Sequence, residues 1–113
     1  MHQNRIVYTV GLKGVVVDSF FDCLFDSECL YFDTSEQLQF VLKYCQLKPD
    51  YVFIYDSVMD ENKHHLLSII YYQYPNTKVV LLTRHSYESE PLFVDFIFYF
   101  PLDIEAVYHR LFF

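Results

Sequence analysis

Two stretches of the chain are too uniformly apolar to lie on a sheet with one wet face. Tyr51 to Tyr55 reads YVFIY, and Val79 to Leu82, inside Lys78 to Thr83, reads VVLL. Each has the length of a strand, and neither alternates polar with apolar residues, so each reads as a strand covered on both sides. Phe96 to Phe100 (FIFYF) reads as another strand, Arg5 to Val10 (RIVYTV) as a first, and Glu28 to Phe32 (ECLYF) as a short second. Segments with helical spacing separate them. Val16, Phe20 and Leu24 recur every four residues within Val15 to Phe25. Leu38, Val41 and Leu42 mark the inner face of a helix from Thr34 to about Cys45. A further helix carries Leu66, Leu67, Ile69 and Ile70, and a last one spans Ile104 to Leu111. Strictly alternating strands and helices predict an α/β fold of one domain, a five-stranded parallel sheet between helical layers.

Turn and cap residues punctuate this pattern. Gly11 and Gly14 bracket a turn after the first strand. Asp33 stands three residues before Glu36, the spacing of a capping pair at a helix start. Lys48-Pro49-Asp50 and Pro75-Asn76 read as turns, Pro101 ends the fifth strand, and Asp103 caps the last helix. In open parallel sheets the functional groups gather at the carboxyl ends of the strands. Those ends are Val10-Gly11, Phe32-Asp33, Tyr55-Asp56, Thr83-Arg84 and Phe100-Pro101.

Composition excludes several function classes. With 113 residues and 53% apolar content the chain is one folded domain rather than a disordered segment. Its longest apolar stretches are broken by Lys13, Asp18 and Asp95, so no membrane span is expected, and the first twenty residues do not read as a signal peptide. A formal charge of −7 disfavours direct nucleic-acid or anionic-lipid binding. Cys23, Cys29 and Cys45 lack metal-ligand spacing and read as reduced thiols of a cytoplasmic protein. His64-His65 beside Asp60 and Glu61 point to different sides of a helix and do not form a chelating set. The acid stripe Asp18, Asp22 and Asp26 reads as a solvated helix face, and nothing marks His85 as catalytic. No Ser-His-Asp or Cys-His order and no Gly-rich phosphate loop is present, so neither catalysis, metal nor cofactor is expected. Eleven Tyr and twelve Phe remain to be placed. So small a core cannot cover every ring, and a partner surface is expected to take some of them.

Two segments carry a family resemblance. Pro49-Asp50-Tyr51-Val52-Phe53-Ile54-Tyr55-Asp56 resembles the third strand of bacterial response-regulator receiver domains, which begins Pro-Asp and ends at the phosphorylated Asp. Tyr74-Pro75-Asn76-Thr77-Lys78-Val79-Val80-Leu81-Leu82-Thr83 is similar to the family's fourth strand, which ends at a switch Thr or Ser. Phe100-Pro101 stands where the family has Lys-Pro, and Asp103 continues the likeness into the last helix. The resemblance covers Pro49 to Phe113, while the first 48 residues share only the element order. It implies a CheY-like, flavodoxin-like three-layer sandwich. It also implies a vestigial phosphoacceptor site at Asp56, Tyr55, Thr83 and Phe100. Counted from Pro49 the acceptor position falls on Tyr55, with Asp56 one later.

Departures from the family pattern shape the functional expectation. The first strand ends Thr9-Val10-Gly11-Leu12, without the adjacent acids that hold Mg²⁺ in receivers. Phe100 replaces the Lys that contacts the phosphoryl group. The aromatic three residues before that Lys becomes Ile97. Only seventeen positions separate Thr83 from Phe100, so the helix between the fourth and fifth strands is expected to be short or unwound, with Pro91 interrupting it. Transfer of a phosphoryl group to a carboxylate concentrates negative charge that metal and Lys must offset. Without them the expectation is a degenerate receiver. It would be a non-enzymatic, phosphorylation-independent module that regulates transcription through protein contact. The expected face carries Tyr87, Phe93, Phe98, Tyr99, Tyr108 and Phe113, with Phe96 and Phe112 beside them. The expected partners are a second copy in a homodimer and a DNA-binding output domain or regulator protein. One alternative is a working receiver that uses Asp56 as acceptor. Another is a flavodoxin-type ligand module using the Gly11–Gly14 loop.

Overall fold

Val52, Phe53 and Ile54 are all fully buried, so β3 (Tyr51–Tyr55) is covered on both faces, as its unbroken apolar run requires. The computed structural model describes residues 6–11, 28–44, 48–55, 61–84 and 93–112. There β3 lies at the centre of a sheet with β1 (Ile6–Val10), β2 (Glu28–Phe32), β4 (Lys78–Thr83) and β5 (Phe96–Tyr99). The strand order is β2-β1-β3-β4-β5, and every pairing is parallel. Three helices complete the described elements: α1 (Ser35–Tyr44), α2 (Glu61–Gln73) and α3 (Ile104–Phe112). The helix expected over residues 15–25, the segment around His85 and Pro91, and Lys13, Gly14, Cys23 and Cys45 lie outside the described residues.

Alternating side chains divide the core in two. Val7, Phe53, Val80 and Leu82 pack with Val107 of α3 on one face of the sheet. Tyr8, Val10, Val52, Ile54, Val79 and Leu81 pack on the other face against Leu38 and Leu42 of α1 and Leu66, Leu67 and Ile70 of α2. The observed architecture is therefore the expected three-layer α/β sandwich. Tyr74 joins the two helices of the second layer, its hydroxyl donating to the Leu42 carbonyl at 2.6 Å.

Helix starts follow local chemistry, with one correction. Asp103 caps α3 as expected, its Oδ1 accepting from the N–H of Glu105 at 3.0 Å and of Ala106 at 3.4 Å. At α1 the capping pair is Thr34 and Gln37 rather than Asp33 and Glu36. Thr34 Oγ1 accepts the Gln37 N–H at 3.2 Å, and Gln37 Oε1 accepts the Asp33 N–H at 2.9 Å. Burial of Leu38 and Leu42 sets the phase of the helix, which makes Ser35 its first residue and Thr34 its cap. The fifth strand also ends one residue early, at Tyr99. Phe100 still donates its N–H to Thr83 O at 3.0 Å, and Pro101 has no N–H with which to continue.

The amino ends of the strands are joined by a device that occurs twice. Asp50 donates its N–H to Ile6 O at 2.8 Å, and its Oδ2 accepts the Ile6 N–H at 2.8 Å. The carbonyl of the same Asp50 accepts the Lys78 N–H at 3.0 Å, so one residue ties β1, β3 and β4 together. Asp95 repeats the clasp between β5 and β4: it donates to Val79 O at 2.9 Å and accepts the Val79 N–H on Oδ2 at 2.8 Å. Beside them Thr77 Oγ1, in a buried residue, donates to Pro49 O at 2.6 Å. Asp50→Ala, which removes the carboxylate from an exposed bond to the Ile6 N–H, should lower stability by about 0.5–1.5 kcal/mol, with a smaller loss in Asp50→Asn. Urea unfolding measures both, and an Asp50→Ala variant as stable as the parent would contradict the clasp.

Candidate functional site

Parallel register brings the carboxyl ends of β3, β4 and β5 level. Tyr55 lies opposite Leu82, and Thr83 opposite Tyr99. Three side chains meet just beyond these pairs. The rings of Tyr55 and Phe100 stand edge to face, 5.5 Å between centroids and 75° between planes. Arg84 lies over this pair: its Nε–H donates to Tyr55 Oη at 3.2 Å, and its guanidinium carbon is 4.8 Å from the Phe100 ring centroid. Thr83, directly under Arg84 in the chain, is fully buried. Both rings belong to the α3 side of the sheet and pack on the Phe53–Leu82–Val107 cluster.

The other strand ends offer little charge. β1 closes at Thr9-Val10-Gly11, without a carboxylate. Gly11 adopts φ 76°, a left-handed conformation that costs glycine almost nothing, and donates its N–H to Phe32 O at 2.9 Å. Asp33, after β2, is exposed, with its backbone N–H held by Gln37. Among the described residues no group of three or more His, Cys, Asp or Glu is placed to hold a metal ion. What the described site presents is a phenol, a buried hydroxyl and an oriented guanidinium.

The expected site residues divide accordingly. Tyr55, Thr83 and Phe100 are brought together, while Asp56 lies outside the described residues. Of the expected contact face, Tyr99 (49% exposed) and Tyr108 (41%) are accessible. Phe98 is half-buried against the core cluster that includes Val107. Tyr87 and Phe113 lie outside the described residues. Phe93 is turned to the opposite layer, its ring 4.7 Å from Tyr71 and 5.9 Å from Tyr72 on α2. Its φ of 67° is unusual for a bulky residue, and these ring contacts hold it there.

Two features lie outside the expected set. Arg84 appears in the sequence only as the residue that follows Thr83 at a strand end, and it is not among the expected site residues. Exposed rings also occupy the helices of the other layer: Phe40 and Tyr44 on α1, 4.7 Å apart, and Tyr71 and Tyr72 on α2. The large total of Tyr and Phe foretells exposed rings but not which helices carry them.

Comparison with solved structures identifies the fold. A CheY-like response-regulator receiver domain protein from Methanospirillum hungatei matches with a TM-score of 0.76 at 13% identity, over 96% of this chain and 91% of that one. The signal receiver domain of an HD domain-containing protein from Pseudomonas fluorescens matches at 0.75 and 17% identity, over 96% and 92%. A CheY-like receiver domain from Methylobacillus flagellatus matches at 0.74 and 14% identity, over 96% and 97%. No protein-family model matches the sequence, and no curated protein matches it. At these identities the likeness establishes the fold, which is that of CheY-like receiver domains. Among the described residues no helix is long and apolar enough to cross a membrane.

Phe100 touches both the Tyr55 ring and the Arg84 guanidinium, so its removal should be felt in stability. Phe100→Ala should lose about 1–3 kcal/mol, below the range for a fully buried ring because Phe100 is only half-buried. Chemical denaturation checks this, and an unchanged midpoint would show that the cluster contributes nothing to the fold.

Proposed function

We propose that this chain is a phosphorylation-independent regulatory module that acts through protein contact. The observation that carries the reading is the Tyr55–Phe100–Arg84 cluster. By the spacing from Pro49, Tyr55 occupies the acceptor position of a receiver, and Phe100 the position of its Lys. Two neutral rings in contact replace a carboxylate and an ammonium group. Phosphoryl transfer to a carboxylate depends on cationic groups and Mg²⁺ set around the developing charge. Mg²⁺ in turn asks for several oxygen ligands in near-octahedral array. The end of β1 contributes no carboxylate to such a set.

What the receiver fold then offers is a shaped surface. Tyr99 on the edge strand and Tyr108 on α3 each expose a ring. Tyr suits such a place because its ring packs while its hydroxyl stays hydrated. In this reading the face forms a homodimer in transcription regulation, and any DNA contact is made by an output domain or a partner protein, since this chain carries a charge of −7. Its structural neighbours include the signal receiver domain of an HD domain-containing protein and that of a putative Luxo repressor protein, so receivers of this fold occur within larger proteins.

Two measurements test the reading. Incubation with acetyl phosphate and Mg²⁺ should add no phosphoryl mass. An adduct that disappears in Asp56→Asn would establish the chain as a working receiver instead. Light scattering should give a dimer, converted to a folded monomer by Tyr99→Glu combined with Tyr108→Glu. A strict monomer at high protein concentration would remove the homodimer from the proposal.

A further inference from the structure

We infer that Arg84 forms an oxyanion-binding site at the carboxyl end of the sheet, shaped for the paired oxygens of a phosphate or carboxylate group. A guanidinium carries five N–H donors in a fixed planar fork. In Arg84 one of them, Nε–H, is engaged by Tyr55 Oη at 3.2 Å, and the guanidinium carbon lies over the Phe100 ring, 4.8 Å from its centre. The hydrogen bond and the ring contact hold different parts of the group, so together they restrict its orientation. No described residue engages the four Nη–H donors, and Arg84 itself is exposed. Among the described residues no carboxylate pairs with them.

Orientation is what separates this arginine from an ordinary surface cation. A free side chain must give up rotamer freedom before two parallel N–H···O bonds can form, and a held one has already done so. Tyr55 adds to the site, because a hydroxyl that accepts from Arg84 still has its own proton to donate. The location also fits, at the carboxyl ends of adjacent parallel strands, where ligands of open α/β sheets settle. The overall charge of −7 works against any anion. Binding here therefore has to come from the local fork and not from the field of the whole molecule. The inference is independent of dimerisation and of signalling, and a monomeric chain is expected to show the same site.

Isotope-labelled protein titrated with inorganic phosphate at constant ionic strength, with chloride as the control anion, tests it by NMR. The Arg84 Nε–H and the Phe100 amide should shift and saturate with phosphate and not with chloride. Arg84→Gln should raise the apparent Kd about tenfold or more, as expected for a charge-assisted pair. Arg84→Lys keeps the charge without the fork and should fall between the two. Tyr55→Phe leaves every charge in place and removes both the anchor of Arg84 Nε–H and the hydroxyl donor, so weaker binding in that variant makes Tyr55 part of the site. A parallel acetate titration separates the sources: saturation by acetate as well supports a carboxylate such as a partner side chain, and saturation by phosphate alone supports a phosphate ligand. Shifts that do not saturate in the parent chain would overturn the site, as would equal saturation in Arg84→Gln.

Discussion

Register in the parallel sheet is the constraint on which everything else rests. Parallel strands are joined by crossovers, so no hairpin turn sets their alignment. Hydrophobic patterning normally penalises a slip, because it turns apolar side chains into water. That penalty is weak for β3 and β4, whose successive residues are buried on both faces. Asp50 and Asp95 supply what patterning does not. Each pairs through both its backbone and its carboxylate with a single residue of the neighbouring strand, a match that only one alignment satisfies.

The two ends of the sheet thus have different chemistry. The amino end is polar and tied by backbone groups and carboxylates. The carboxyl end of β3, β4 and β5 is aromatic, with one guanidinium above two rings. Since the ties lie at one end, the other can change its chemistry without loosening the scaffold. A sheet held at its amino end in this way can carry the Tyr55–Phe100 ring pair at the other.

Much of the fold is legible in sequence order because the signals are local. YVFIY and VVLL can only be two-sided strands, and Asp103 caps α3 where its side chain says it should. The α1 cap is less decidable from sequence. Asp33 with Glu36 and Thr34 with Gln37 have the same spacing, and only the burial of Leu38 and Leu42 selects the second pair. The site is legible in part for a related reason. Tyr55, Thr83 and Phe100 are strand-end residues and can be listed in advance. Arg84 gains its meaning from Tyr55, 29 positions earlier, and that proximity is a product of the crossovers. Phe93 is near the aromatic residues of β5 in sequence, which points it to the face of β5 and α3. Its left-handed backbone turns the ring toward Tyr71 and Tyr72 instead.

The Asp95 clasp has a mechanical consequence at the far end of its strand. β5 is four residues long and behaves as a short rigid rod between Asp95 and Phe100. A slip of one position at Asp95 would carry Phe100 along by about 3.3 Å, enough to pull the ring from beneath the guanidinium. The carboxylate at the bottom of β5 therefore works as a gauge block for the aromatic seat at its top, and mis-setting the one would unseat the other without any substitution there.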